Sequence, residues 1–186
     1  RQQPFEAIAR PGDGAVDAPL PTVPDGAVAV TFGSAMRVGQ PLFAAAVGAL
    51  ASLGRPGVIL TADAAQVPSP LPSGVSINPY APFSKVFPQV AAVVHHGGVG
   101  TMAQALAAGV PQVVVPLSHD QPDNARQVAD WGVGVVVPRK RATAAGLAAA
   151  ITAVTTSPAV AEACRRCARR VDFEQGRQQA VAELEA

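Results

Sequence analysis

The sequence predicts an α/β fold of the doubly wound, Rossmann-like kind, with helices on both faces of a mostly parallel sheet. Its apolar runs are continuous in Val, Ala and Ile and do not alternate with polar residues, which indicates strands buried on both faces. Stretches of helical composition separate most of these runs, and this favours right-handed crossovers between parallel strands. The 186 residues include 17 Gly and 18 Pro, which suits many short elements joined by tight turns.

The alternation of strands and helices begins at Ala27. Residues Ala27–Phe32 form an apolar run, interrupted only by Thr31, that predicts a buried strand. Pro41–Leu53 has helical composition and is followed by a glycine, the residue most typical of helix ends. The apolar run Gly57–Thr61 predicts the next strand, and Val75–Asn78 predicts a further short one.

The second half of the chain continues the same alternation. Ala91–His95 predicts a buried strand, and a glycine-rich turn then leads into a helix that ends near Ala108. Gln112–Pro116 predicts another strand, followed by a helix over Asp123–Trp131. The run Val133–Val137 predicts the last strand of the sheet.

Helical composition dominates the remainder of the chain. Helices are predicted over Thr143–Val154, Pro158–Val171 and Glu174–Leu184. The middle one carries four arginines between positions 165 and 170, which we expect to form a solvated face. It also carries Cys164 and Cys167, which we interpret as ordinary helix residues. A redox motif would lie between a strand and a helix, and a metal site would need a second pair of ligands, which the sequence lacks.

The composition excludes several classes of function. The chain is 49% hydrophobic and 15% charged, which is enough apolar material for a core. A net charge of +1 and an aromatic content of 4% argue against a nucleic-acid-binding protein. No apolar run is long enough for a transmembrane segment, and the first residues do not resemble a signal peptide. We therefore expect a cytoplasmic protein.

The segment Val93–Thr101 is the most informative part of the sequence. A buried strand delivers His95 and His96 to its carboxyl end, and three glycines follow before a helix begins near Thr101. A helix N-terminus offers unpaired N–H groups and partial positive charge, so this pattern predicts an anion site, with glycines that serve packing alone as the alternative. The Walker and Gly-x-Gly-x-x-Gly patterns are absent here, which disfavours an NAD-dependent oxidoreductase.

A second polar segment follows the next buried strand and faces the same edge of the predicted sheet. Asp120 and Gln121 can accept and donate hydrogen bonds together, which suits adjacent sugar hydroxyls. Helix capping is the alternative for Asp120, and also for Asp123 and Asn124.

These two segments resemble one family. The motifs His95–Thr101, Ala108–Pro111 and Asp120–Pro122 are similar to the C-terminal, donor-binding domain of glycosyltransferase family 1, a single lobe of the GT-B fold. The resemblance is strongest to the bacterial macrolide, glycopeptide, rhamnolipid and sterol type. Val30–Ser34 matches the family's first strand and turn, and Tyr80–Pro82 matches a stretch where the family usually has Trp-x-Pro-Gln.

The resemblance implies a role for each matching position. Contacts to the donor diphosphate are implied for Ser34, His95, Gly97, Gly98, Val99, Gly100 and Thr101. Contacts to the donor sugar are implied for Asp120 and Gln121, and contacts to the base for Tyr80, Ala81 and Phe83. Phe83 replaces the usual Gln, which leaves the choice between UDP and dTDP open, and His96 and His119 receive no role.

The activity implied is that of an inverting, metal-independent glycosyltransferase that moves a hexose from a UDP- or dTDP-sugar to an acceptor hydroxyl. No Asp-x-Asp motif is present, and we expect neither a metal nor another cofactor. The general base and the acceptor site are expected in the protein's own N-terminal domain. A non-catalytic nucleotide-sugar-binding module and a GT-B-fold epimerase or hydrolase are the alternatives.

The same resemblance organises the chain into three parts. Residues 1–26 are predicted to be a Pro-rich linker or lead-in, residues 27–172 the donor-binding domain, and residues 173–186 a helix that packs on the N-terminal domain. The absence of an initial Met and the Pro-rich start predict a fragment cut at the interdomain linker, which would be inactive alone. An exposed interdomain surface, or a homodimer that covers it, is the further expectation.

Overall fold

The computed structural model describes residues 20–33 and 39–171, which form six strands and six α-helices. The strands are β1 (Val28–Thr31), β2 (Gly57–Leu60), β3 (Val75–Asn78), β4 (Ala92–His95), β5 (Gln112–Val114) and β6 (Gly134–Val136). The helices are α1 (Gln40–Leu53), α2 (Phe83–Val86), α3 (Val99–Ala107), α4 (Gln121–Asp130), α5 (Ala144–Thr156) and α6 (Pro158–Ala168).

All six strands belong to one parallel sheet in the order β3-β2-β1-β4-β5-β6. Within the register, Val30 of β1 lies between Ile59 of β2 and Val94 of β4. This strand order is the one typical of Rossmann-like folds. The predicted α/β, doubly wound fold is therefore confirmed.

Successive strand residues point to opposite faces, so the sheet divides the core into two layers. Val30 and Ile59 pack on one face with Leu50 of α1 and Leu147 of α5. On the other face, the apolar layer continues under α2 and α3, and α6 packs beside α3 and α4. Burial on both faces explains why the strands have continuous apolar sequences.

Most differences from the predicted elements concern their ends. Helix α4 begins at Gln121 instead of Asp123. Pro122 fits in its first turn because N–H groups there have no acceptor within the helix, so the N–H that proline lacks is not needed. Helix α6 ends at Ala168 instead of Val171. The short helix α2 was not predicted, since four residues are too few to show a helical period. The predicted Glu174–Leu184 helix lies outside the described residues.

Among residues 20–33 and 39–171, no single helix is long and apolar enough to cross a membrane. Helices α5 and α6 meet the requirements of length and composition only as a pair, and this pair is bent by 71°.

Candidate functional site

The sheet order creates a crevice between the carboxyl ends of β1 and β4. These strands are neighbours, but β1 leads into α1 on one face while β4 leads into α3 on the other. Their connections therefore separate at this point, which is where ligands bind in open α/β sheets.

A cavity of about 480 Å³ opens at this crevice. One half of its wall is mostly apolar and is contributed by Leu60, Thr61, Tyr80, Ala81 and Phe83. The other half comes from the β4–α3 junction and is contributed by His96, Gly98, Gly100, Thr101 and Gln104. Six of the sequence-predicted site residues thus line one cavity, although they come from two distant parts of the chain.

The mostly apolar half of the cavity wall contains one ring of a stacked pair. The centroids of Phe83 and Phe87 are 4.5 Å apart, with the ring planes at 13° to one another. Ala81 is buried, whereas Tyr80 is 38% exposed at the cavity. A half-exposed ring beside an apolar wall can contact a planar, partly polar ligand such as a nucleobase.

His96 is the histidine that faces the cavity, half-buried between two glycines. A Cβ atom on Gly98 would lie 2.6 Å from His96 Nε2, and one on Gly33 would lie 2.9 Å from its Cε1. Both positions therefore need glycine so that the ring can occupy this place. The ring atom Nδ1 is buried and has no hydrogen-bond partner among the described residues.

Burial lowers the pKa of His96, and it outweighs the opposing effects of the Thr31 backbone carbonyl and the Asp120 carboxylate. At neutral pH the ring is therefore mostly neutral, with unsatisfied hydrogen-bonding capacity beside the cavity. A buried polar atom without a partner is a candidate for contact with a ligand.

His95 occupies the opposite face of the sheet and does not line the cavity. Its side chain is fully buried; Nε2 lies 2.9 Å from Gln112 Oε1, and Nδ1 accepts a hydrogen bond from the Gly97 N–H at 3.1 Å. Burial, together with the neighbouring His96, lowers the pKa of His95 to about 3 despite the hydrogen bond to Gln112. Since both ring nitrogens are occupied, the geometry does not support the predicted direct contact between His95 and a diphosphate.

The glycine turn sets the direction in which α3 begins. Gly97 has φ +91°, and a Cβ atom there would lie 3.1 Å from the Gln121 carbonyl oxygen and 3.0 Å from Val114 Cγ1. Helix α3 starts at Val99, with no side-chain cap and no acidic residue in its first turn. The first N–H groups of a helix cannot bond within it, so this end offers donors and partial positive charge to an anion.

The loop that precedes α4, here called the Asp120 loop (residues 118–120), lies beside this turn but outside the cavity wall. Asp120 is exposed, and its Oδ2 accepts a hydrogen bond from Asn124 Nδ2 at 2.7 Å. Gln121 is buried, and its Oε1 accepts hydrogen bonds from the Leu117 and Ser118 N–H groups at 2.9 and 3.1 Å. Asp120 precedes α4 without making a side-chain cap, so the capping alternative is not observed.

Two residues of the site were not predicted from the sequence. Gln104 lines the cavity although it is only 4% exposed, and its position three residues after Thr101 on α3 could have indicated a shared helix face. His96 received no role because strand periodicity alone does not show which face borders the crevice.

Ser34, which was predicted to contact the diphosphate, lies outside the described residues. Within the described ranges, no three His, Cys, Asp or Glu side chains are grouped closely enough to hold a metal ion.

Comparison with curated proteins identifies similar sequences among glycosyltransferases. The chain is 40% identical over 134 residues to O-mycaminosyltylonolide 6-deoxyallosyltransferase of Streptomyces fradiae, an alignment that covers 72% of this chain and 29% of that protein. It is 46% identical over 98 residues to an elloramycin glycosyltransferase of Streptomyces olivaceus, covering 53% of this chain and 24% of that protein. The chain therefore matches less than a third of each relative's length.

The structure is similar to solved glycosyltransferases of the GT-B fold. The crystal structure of the glycotransferase of kitacinnamycin superposes with a TM-score of 0.78 at 27% identity, covering 94% of this chain and 46% of that one. The profile of the erythromycin biosynthesis protein CIII-like C-terminal domain matches residues 46–185. Because this match spans most of the chain, the protein belongs to the family of erythromycin biosynthesis protein CIII-like C-terminal domains, whose relatives named above are glycosyltransferases.

Proposed function

We propose that this chain is the nucleotide-sugar-binding half of an inverting glycosyltransferase that moves a hexose from a UDP- or dTDP-sugar to an acceptor hydroxyl. One observation carries the proposal: the cavity at the β1–β4 crevice joins an apolar wall to a helix N-terminus, and between them lies His96, whose buried Nδ1 has no partner among the described residues. A nucleoside diphosphate has the matching parts, a planar base at one end and a compact anion at the other.

In this proposal the diphosphate lies against the β4–α3 junction. The backbone N–H groups of residues 98–101 and the Thr101 hydroxyl donate hydrogen bonds to its oxygens, and His96 takes the role that the family resemblance implied for His95. Negative charge grows on the diphosphate as the bond to the anomeric carbon breaks. Preorganised N–H groups that meet this charge lower the barrier, in the way an oxyanion hole does.

The base lies against Tyr80, Ala81 and Phe83, and Gln104 reaches the ribose from the second turn of α3. Asp120, at the outer edge of the crevice, holds hydroxyls of the donor sugar. Gln121 supports this loop because its side-chain Oε1 accepts hydrogen bonds from the Leu117 and Ser118 N–H groups. Uracil and thymine carry the same polar groups and differ only by the C5 methyl group of thymine, which an apolar wall tolerates, so UDP and dTDP both remain in the proposal.

The transfer itself is a single displacement at the anomeric carbon. The acceptor oxygen forms the new bond as the bond to the diphosphate breaks, the electron pair leaves with the diphosphate, and the acceptor proton goes to a general base. We place that base and the acceptor site in an N-terminal domain, as the C-terminal designation of the family supports. On this basis the chain binds the donor but does not catalyse transfer alone. The proposal also places the protein in the cytoplasm. A homodimer, testable by sedimentation, covers any exposed interdomain surface.

We propose that the reaction needs no resident cofactor or metal. The support is the positive end of α3, which supplies the charge that a cation would otherwise supply to the diphosphate. Binding of UDP or dTDP that was lost on adding EDTA and restored by Mg²⁺ would contradict this part of the proposal.

Calorimetry with UDP, dTDP and their glucose derivatives tests the proposal. We expect binding of at least one nucleoside diphosphate, and a loss of about tenfold in affinity for His96→Ala, as for a hydrogen bond to a charged group. His119→Asn is the matched control, since His119 is exposed and Asn tolerates its φ of +58°. Absence of binding to every one of these compounds would overturn the proposal. Donor binding without transfer, after addition of the N-terminal domain, would favour a non-catalytic binding module.

A further inference from the structure

The peptide unit around Gly97 is held by side chains from two different elements. His95 Nδ1, at the end of β4, accepts a hydrogen bond from the Gly97 N–H at 3.1 Å. Asn124 Nδ2, in α4, donates to the Gly97 carbonyl oxygen at 2.8 Å. Both side chains are buried, with Asn124 8% exposed and His95 fully enclosed. The residue at the centre of the glycine turn is therefore fixed from both sides.

The proton positions in this arrangement follow from the bonds themselves. Because the Gly97 N–H donates to Nδ1, that nitrogen carries no proton, and Nε2 must carry it and donate to Gln112 Oε1. Gln112 Nε2 remains buried without a partner among the described residues. The protein thus tolerates an unsatisfied buried amide group in β5 to hold His95 in one tautomer.

Asn124 uses both hydrogens of its amide group. One is donated to the Gly97 carbonyl and the other to Asp120 Oδ2 at 2.7 Å. A single side chain therefore ties the turn after β4 to the loop before α4. A carboxylate at position 124 would have the same shape, but it would lack both donors and would face two oxygen atoms.

We propose that Asn124 is a positioning residue that sets the orientation of the Gly97 peptide and, through it, the N–H groups that meet the phosphates. The hydrogen bonds that connect Gln112, His95, Gly97, Asn124 and Asp120 make the glycine turn and the Asp120 loop one hydrogen-bonded unit. The effect on ligand affinity rests on the function proposed above. The effect on the peptide itself does not, so the two are tested separately.

Three variants of the 186-residue chain are compared: Asn124→Asp, Asn124→Ala and Gln127→Glu. The last makes the same amide-to-carboxylate change on α4, away from the turn. We expect Asn124→Asp to lower affinity for UDP or dTDP by about tenfold or more, as for loss of a buried hydrogen bond. Affinity for uridine or thymidine, which lack phosphates, should not change, because Asn124 does not line the cavity wall to which Tyr80, Ala81 and Phe83 contribute.

Equal losses of affinity for UDP and for uridine would show that Asn124 only maintains the fold, and would overturn the proposal. Unchanged UDP affinity would overturn it too. The double variant Asp120→Asn with Asn124→Asp restores an amide–carboxylate pair but leaves a carboxylate against the Gly97 carbonyl. We expect it not to recover UDP affinity; recovery would show that only the Asp120–Asn124 pair matters.

Nuclear magnetic resonance decides the structural part without any ligand. In Asn124→Ala we expect the Gly97 amide signal and the ¹⁵N signal of His95 Nδ1 to move, whereas neither should move in Gln127→Glu. If wild type bound no nucleotide, the proposed function would fail, and these two signals would still decide whether Asn124 orients the turn. An unmoved His95 signal in Asn124→Ala would contradict the proposal.

Discussion

His95 and His96 are consecutive residues at the end of β4, and they serve two different regions of the molecule. His95 points into the packed interior on one face of the sheet, where Gln112 of β5 and the Gly97 N–H occupy its two ring nitrogens. His96 points into the crevice beside β1, where Nδ1 has no partner among the described residues. Two adjacent histidines therefore differ in whether their ring nitrogens are available to a ligand, and the sequence alone does not show this difference.

The largest effect that this comparison predicts is on stability. His95→Ala removes a buried ring and leaves the Gly97 N–H and the Gln112 side chain without partners. We expect the free energy of unfolding to fall by about 3 kcal/mol, measured by urea denaturation. His96→Ala, at a half-buried site, should cost about 1 kcal/mol or less. Similar losses of stability for the two variants would remove the distinction between the interior and crevice sides.

The position of the His96 ring depends on the glycine at position 98. Gly98→Ala places a Cβ atom 2.6 Å from His96 Nε2, so the ring must move. We expect a loss of about tenfold in affinity for UDP or dTDP with a stability change of about 1 kcal/mol. Gly54→Ala is the control: Gly54 has φ +59° and no atom within 4 Å of the added Cβ, so it should lose stability without losing affinity. Undiminished affinity in Gly98→Ala would indicate that the position of His96 is unimportant for binding.

The sequence was sufficient for the sheet and for six of the residues that line the cavity, because continuous apolar strands and the position of the turns depend on local pattern. It could not assign the two histidines. Alternation places them on opposite faces, but which face borders the crevice depends on the strand order, with β1 beside β4. The contact of Asn124 with Gly97, 27 residues away, likewise depends on how α4 packs. Tertiary contacts of this kind leave no periodic trace in the sequence.

Burial of His95 also makes the stability of the fold depend on pH. The pKa of His95 is lowered by burial from 6.5 to about 3, so between these values the unfolded state binds more protons than the folded state. The free energy of unfolding should therefore fall as the pH decreases through this window. Between pH 6.5 and pH 5.5 the expected fall is about 1 kcal/mol. His95→Gln should reduce the slope between pH 6.5 and 5, where most carboxylates stay ionised; an unchanged slope in urea denaturation would contradict a buried, neutral His95.

The smallest expected effect tests how far the ligand-binding region extends from the crevice. Asp120 is exposed at its outer edge, and we propose that it meets the sugar and not the phosphates. Asp120→Asn keeps an oxygen that can accept the hydrogen bond from Asn124 but removes the charge. Affinity for UDP or dTDP should therefore stay within about twofold of wild type, while affinity for the matching nucleotide sugar falls by about fivefold, as for a modest hydrogen bond. Calorimetry with each pair of ligands separates these results. Equal changes for nucleotide and nucleotide sugar would mean that Asp120 affects binding only through its hydrogen bond with Asn124 and makes no contact with the sugar.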